Sequence, residues 1–290
     1  MNLVMTLIAG SGAEGRLADV AAQIARRLGT AMDWLAPGIA CDIACDDPGA
    51  EALARQAIGR TAIDVLVQPA EGRRKRVFVA DLESTIIENE MLDELADFVG
   101  LRAHVAEITR RAMNGELDFA TALNERVALL KGLPAGVLDE AASRIRLMPG
   151  ARPLLATLRA AGVRTALVSG GFTVFAERIA ADLGFERVVA NRLDIAQGRI
   201  AGTVAAPIAT RETKRDALRE LAQESGVPIT DTLAIGDGAN DLPMLEAAGL
   251  GIAFRAKPAV AAASRWRLDH ADLTGVLYAQ GYRQAEIIPA

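Results

Sequence analysis

Two apolar runs in this chain end on clusters of carboxylates. Val77-Phe78-Val79-Ala80 runs into Asp81-Leu82-Glu83-Ser84-Thr85, and Thr232-Leu233-Ala234-Ile235 runs into Gly236-Asp237-Gly238-Ala239-Asn240-Asp241. If the two runs are neighbouring parallel strands, their carboxyl ends meet at one crevice, which is where open α/β sheets bind ligands. Several carboxylates gathered there repel one another unless a cation compensates them, and all-oxygen donors favour a hard ion such as Mg²⁺. Taken singly, each cluster reads as an ordinary solvated turn rich in Asp and Gly.

Two further segments lie between the clusters. The run Val163 to Val168 ends in Ser169-Gly170-Gly171, where a hydroxyl can donate to a phosphoryl oxygen and glycine lets backbone N–H groups come close. Lys214 opens an expected helix in Thr210-Arg211-Glu212-Thr213-Lys214-Arg215, where it can neutralise a phosphate. The four segments in this order resemble the motif set of the haloacid dehalogenase-like hydrolases, over residues 76 to 275.

Within that superfamily the intervening segments resemble phosphoserine phosphatases. Asp81 to Glu90 is similar to the first motif with its substrate-binding Glu, and Phe119 to Lys131 is similar to the cap segment that supplies Arg126. The resemblance implies an α/β fold: a Rossmann-like core with a helical cap at about 88–147, in a phosphatase domain spanning 76–290. It implies Mg²⁺-dependent hydrolysis of O-phosphoserine, the last step of serine biosynthesis, through an aspartyl-phosphate on Asp81. Glu83 is then the acid and base, and Mg²⁺ sits between the Asp81 and Asp237 carboxylates and the Glu83 backbone carbonyl, with Asp241 supporting. Ser169, Gly170, Lys214 and Asn240 hold the phosphate. Glu90 takes the substrate ammonium and Arg126 its carboxylate. Met113 and Phe119 line the pocket in the family, although core packing explains either residue equally well. The family normally carries Asp where this chain has Glu83. Phosphoserine:homoserine phosphotransferases also resemble Asp-Leu-Glu there, so the acceptor, water or homoserine, stays open.

The 290 residues, 51% of them hydrophobic, suffice for one large core or two smaller ones. A net charge of −5 gives no reason to expect nucleic acid. The one basic cluster, Arg73-Arg74-Lys75-Arg76, reads as a solvated linker between two units. Cys41 and Cys45 lie four apart on one expected strand, about 13 Å against a disulfide limit of about 7 Å, so both are expected reduced. With only His104 and His270 as histidines, zinc is poorly supported. No run approaches the ~20 apolar residues of a membrane span, and the first strand lacks the basic flank of a signal peptide, so the expected compartment is the cytoplasm.

Residues 1–72 alternate as strand 2–9, helix 15–28, strand 30–35, a turn at Pro37-Gly38, strand 39–45, helix 49–58 and strand 62–68. That βαββαβ order is the ferredoxin-like plan of a small α+β module, read as regulatory or dimerising, with a homodimer as the expected assembly and amino-acid sensing without catalysis as a rival function. Gly10-Ser11-Gly12-Ala13-Glu14-Gly15 matches a dinucleotide fingerprint with Asp33 downstream, but the hairpin at Pro37-Gly38 conflicts with the parallel crossover such a site needs. After Asp81 four helices are expected, the first carrying Met91, Leu92, Leu95 and Phe98 at helical spacing, then 102–113, 119–130 and 135–146. Pro149-Gly150 marks the return to a sheet continuing through 163–168, 187–190, 232–235 and 251–254, with a hairpin around 200–204.

Overall fold

The computed structural model describes residues 2–47, 49–113 and 116–289. Its first unit is a four-stranded antiparallel sheet in the order β2-β3-β1-β4. The strands are β1 (Leu3–Ala9), β2 (Met32–Ala36), β3 (Ala40–Cys45) and β4 (Ile63–Pro69). Two helices, α1 (Glu14–Leu28) and α2 (Ala50–Ile58), cover one face. The pairs formed by β1, and the β2–β3 hairpin across Pro37-Gly38, are all antiparallel, so the glycine-rich turn at Gly10 to Gly15 does not open a parallel mononucleotide half.

An antiparallel sheet commonly leaves one face wet, yet every residue of β1 is buried. Leu3, Met5, Leu7 and Ala9 face α1 and α2, whereas Ile8 on the opposite face joins Leu35, Ala40 and Leu66 in the core of the second unit. The carboxylate of Asp64 accepts the backbone N–H groups of Asp269 (2.8 Å), His270 (3.1 Å) and Ala271 (2.8 Å). Trp266 Nε1 donates to the Val67 carbonyl at 2.9 Å, and Gln68 Nε2 to that of Ala279 at 2.6 Å.

The basic cluster corrects the expectation of a solvated linker. Arg73 pairs with buried Asp42, which also accepts from Thr6 Oγ1 at 2.7 Å. Lys75 buries its stem and donates from Nζ to the carbonyls of Gly72 (2.7 Å) and Thr230 (2.8 Å). Arg74 pairs with Glu286 and lies over the Tyr282 ring, 4.2 Å from its centroid. Long cationic side chains cover apolar surface while their heads find acceptors, which a reading of charge alone misses.

The second unit is a seven-stranded sheet in the order β11-β10-β9-β5-β6-β7-β8. Its strands are β5 (Val77–Ala80), β6 (Arg164–Phe172), β7 (Arg187–Ala196), β8 (Arg199–Ala205), β9 (Thr232–Gly236), β10 (Leu250–Phe254) and β11 (Trp266–Leu268). All neighbours are parallel except β7 and β8. The sequence does not predict β11, whose three residues, half-exposed or buried, are interrupted by Arg267, follow Arg265 and form no apolar run. Val77, Val79, Ala166 and Val168 point to the face covered by α9 (Arg211–Glu224), α10 (Leu242–Ala247) and α11 (Pro258–Ala263). Phe78, Leu167, Leu233 and Ile235 point to the other, beneath α7 (Ala151–Ala160), α8 (Thr173–Leu183) and α12 (Gly275–Ala279).

Strand β5 lies between β6 and β9, so the chain leaves it to build the sheet in both directions. Its carboxyl end is the topological switch point. Between β5 and α7 stand the four helices expected after Asp81: α3 (Met91–Asp97), α4 (Arg102–Met113), α5 (Phe119–Ala128) and α6 (Val137–Ala142). They rise from paired stems in which Glu88 N donates to the Arg146 carbonyl and Met148 N to that of Ile86, each at 2.9 Å. The side chain of Met113, expected at the pocket, lies outside the described residues.

Candidate active site

Asp81 follows β5 directly, Asp237 follows β9, and α9 brings Lys214 against Asp81 and Asp241. The parallel pairing of β5 and β9 makes this meeting obligatory, since Ala80 is in register with Ile235. One carboxylate oxygen from each of Asp81, Asp237 and Asp241 lies within 4.8 Å of the others, and all three residues are buried. Two unit charges at that spacing repel by about 3–4 kcal/mol at an effective dielectric constant near 20.

Lys214 offsets part of that charge. Its Nζ donates to Asp81 Oδ1 and to Asp241 Oδ1, both at 2.6 Å, and the side chain is only 2% exposed. Burial alone would lower the Lys214 pKa, but the charges and hydrogen bonds of Asp241 and Asp81 outweigh it and hold the ammonium above its ordinary range. Asp81 is still pushed well above the usual carboxylate range, first by burial and then by the Asp241 charge. Burial likewise pushes Asp237 up to about 6, against the pull of Lys257, whose Nζ is 3.6 Å from Asp237 Oδ2. Two cations, buried Lys214 and half-exposed Lys257, among three carboxylates still leave a negative surplus on hard oxygen donors, which fits a divalent ion such as Mg²⁺. Asp241 has little left to offer an ion directly. Its Oδ1 takes Lys214, its Oδ2 takes the Gly238 N–H at 2.9 Å, and the residue is wholly buried. Gly236 permits this fold-back, because a Cβ there would stand 2.4 Å from Asp241 Cγ.

Above the cluster lies a cavity of about 130 Å³. Of the residues expected to form the site, Asp81, Glu83, Glu90, Arg126, Gly170, Asp237 and Asn240 line it. Ser169, Lys214 and Asp241 are buried instead of lining it. Ser169 Oγ accepts the Gly171 N–H at 2.9 Å, which leaves its own proton to donate. Phe119 also lines the cavity, with its ring 3.1 Å from where a Gly170 Cβ would stand.

Glu83 reaches across this space. Its Oε1 accepts the Met91 N–H at 2.8 Å, and its Oε2 would lie 2.8 Å from a Cβ on Gly171, so glycine there makes room for the longer carboxyl. Burial, then the Glu90 charge, pushes Glu83 up to about 8, so at neutral pH it carries a proton. Glu90 accepts from Ser84 Oγ at 2.8 Å. Arg126 is held by the Ala122 carbonyl (Nε, 3.1 Å) and Thr109 Oγ1 (Nη1, 3.4 Å). It makes no ion pair among the described residues, which leaves a half-buried guanidinium aimed at a cavity with no carboxylate bound to it.

Sequence reasoning missed Lys257, Asp93 and Leu92 in the cavity wall. Lys257 follows β10 as Asp237 follows β9, so the strand-end rule that found Asp237 extends to it. It also missed Asn191, buried within β7, whose signal is an amide in the middle of a strand, where Asn is disfavoured.

The haloacid dehalogenase-like hydrolase family model matches residues 78–246. The phosphoserine phosphatase SerB2 of Mycobacterium tuberculosis is 47% identical over 74% of this chain and 53% of its own length. A probable phosphoserine phosphatase from Vibrio cholerae superposes with a TM-score of 0.78 at 32% identity, covering 98% of this chain and 88% of that one. A phosphoserine phosphatase solved as a phospho-aspartyl intermediate analogue superposes with a TM-score of 0.66 at 36% identity, covering 71% of this chain and 98% of that one. The chain spans only 53% to 62% of the length of the first three curated relatives it matches. With more than half of its residues matched by the model, the chain belongs to the haloacid dehalogenase-like hydrolase family, and these relatives within it are phosphoserine phosphatases.

Proposed function

We propose that this protein hydrolyses O-phosphoserine to serine and phosphate through a phosphorylated Asp81. The observation that carries the reading is the lining of the cavity: Asp81, backed by buried Lys214, shares one small space with the phosphate-type donors Gly170 and Asn240 and with Arg126 and Glu90. A guanidinium and a carboxylate side by side complement the carboxylate and ammonium of a free amino acid, and the small cavity suits a ligand of that size.

Asp81 attacks phosphorus as the bond to the serine oxygen breaks, and Glu83 gives its proton to that leaving oxygen. The ionised Glu83 then takes a proton from water, whose oxygen attacks phosphorus and releases phosphate and Asp81. Lys214, which binds Asp81 and Asp241 through two of its three Nζ hydrogens, has a third for a phosphoryl oxygen. Mg²⁺, held by the Asp81 and Asp237 carboxylates and the Glu83 carbonyl with Asp241 behind them, would offset phosphoryl charge. The relative solved as a phospho-aspartyl analogue supports an acyl phosphate of this kind.

Glu83 favours one rival, transfer of the phosphoryl group to homoserine, because its longer carboxyl moves the point from which the acceptor is activated. Residues 1–72 are assigned to a regulatory unit and 76–290 to the phosphatase unit, since every cavity-lining residue lies between 81 and 257. No described helix is long and apolar enough to cross a membrane, and two buried free thiols fit the reducing cytoplasm.

Phosphoserine given to the full chain should release inorganic phosphate with Mg²⁺ and lose that release with a chelator. With homoserine added, phosphate should remain the main product. Predominant phosphohomoserine would replace hydrolysis by transfer.

Arg126→Ala should lower kcat/KM for phosphoserine by about 10- to 150-fold, the equivalent of 1.5–3 kcal/mol for a charged hydrogen bond, and spare an aryl phosphate that has no carboxylate. Equal losses on both substrates would place Arg126 in phosphate binding or in the cap's structure.

The raised carboxyl groups also set a pH profile. At limiting Mg²⁺, kcat/KM should fall on the acid side as Asp81 and Asp237, both raised, take up protons, Asp237 near pH 6, and should fall above about pH 8 as Glu83 loses the proton it donates. More Mg²⁺ should move only the acidic limb, to lower pH, because ion and proton compete for Asp81 and Asp237. An alkaline limb that moves with Mg²⁺ instead would remove Glu83 from the role of acid.

A further inference from the structure

Strands β6 and β7 pair at Val168 with Val189 and again at Phe172 with Asn191. Between those pairs β6 advances four residues and β7 two, so Ser169-Gly170-Gly171 bulges out of the ladder. A bulge strips backbone groups of their strand partners, and a buried carbonyl without a donor is costly. The Asn191 side chain supplies that donor. It is 1% exposed, and its Nδ2 donates to the Gly170 carbonyl at 2.8 Å.

The other end of the same amide is also committed. Asn191 Oδ1 accepts the Ala209 N–H at 2.7 Å. The next residue, Thr210, is the N-cap of α9, and its carbonyl accepts from the Lys214 backbone N–H. One planar amide therefore ties the Ser169–Gly171 bulge to the start of the helix that carries Lys214. The Gly170 carbonyl belongs to the peptide plane of the Gly171 N–H, which in turn holds Ser169 Oγ.

We infer that Asn191 is a positioning residue for phosphoryl binding, holding Ser169, Gly170 and Lys214 in one register although it touches no substrate itself. The inference rests on the phosphate-site reading given above. Because it acts on the phosphoryl end alone, its loss should weaken every phosphomonoester alike, in contrast to Arg126. Misplacement near 1 Å can cost ~100-fold in rate.

The test uses the full chain with Mg²⁺ and three readouts: kcat and KM on phosphoserine and on an aryl phosphate, competitive inhibition by inorganic phosphate, and thermal melting. Asn191→Asp keeps the acceptor for Ala209 and removes the donor to Gly170, and Asn191→Ala removes both. Both variants should weaken inhibition by phosphate at least 10-fold and reduce kcat/KM on the two substrates by the same factor, with Asn191→Ala the worse. Folded variants inhibited by phosphate within twofold of wild type would overturn the proposal, and so would losses matched by the unfolded fraction. If neither variant folds, Asn191 is a structural residue and the proposal fails. A wild type that neither turns over phosphoserine nor responds to phosphate would remove the phosphate-site reading itself, whereas a responsive wild type with equally responsive variants removes only the role of Asn191.

Discussion

The ion triad of Asp81, Lys214 and Asp241 is the interaction on which the site depends. Two hydrogen bonds of 2.6 Å from one buried ammonium join the end of β5, the loop after β9 and the first turn of α9. A lysine with 2% of its side chain exposed survives in such a place only because both of its hydrogen-bond partners are charged. The arrangement has a chemical use. Lys214 fixes one oxygen of Asp81 and, on the proposed function, keeps a positive charge where phosphoryl charge would develop, while the surplus carboxylate charge leaves the cluster suited to a divalent ion.

Among the described residues the first unit contributes none to the cavity wall, yet it is bound firmly to the second. Asp64 collects three amides of the loop at 269–271, and that loop continues to Leu273, whose N–H donates to the carbonyl of Pro149 at 3.0 Å. Pro149 lies just beyond the paired stems from which the cap helices rise. A physical line therefore runs from the first sheet to the base of the cap, although the chemistry lies elsewhere.

Much of this was legible in the sequence because strand ends carry the function. The apolar runs before Asp81, Ser169 and Asp237 gave both the parallel sheet and the residues presented at its edge, and the helices after Asp81 showed in their apolar spacing. What escaped notice depends on partners remote in sequence. The basic stretch at Arg73 reads as solvated until Asp42, Thr230 and Tyr282 are brought to it. Strand β11 has too few apolar residues to announce itself. The burial of both faces of the first sheet follows from docking on the second unit; the near-continuous apolar run of β1, with Thr6 its one polar residue, is a local sign of it but does not say what covers the second face. Glu83 is a case of the reverse kind: its identity was plain, but its fit depends on the missing side chain of Gly171, across the cavity.

The central claim is that Asp81 itself becomes phosphorylated. Rapid acid quench of the full chain turning over phosphoserine labelled in its phosphoryl group, followed by borohydride reduction and peptide mapping, tests it directly. The account predicts that the label is an acyl phosphate and that reduction converts Asp81, alone among the carboxylates, to homoserine. Turnover without a covalent label, or a label and reduction at another residue, would contradict it.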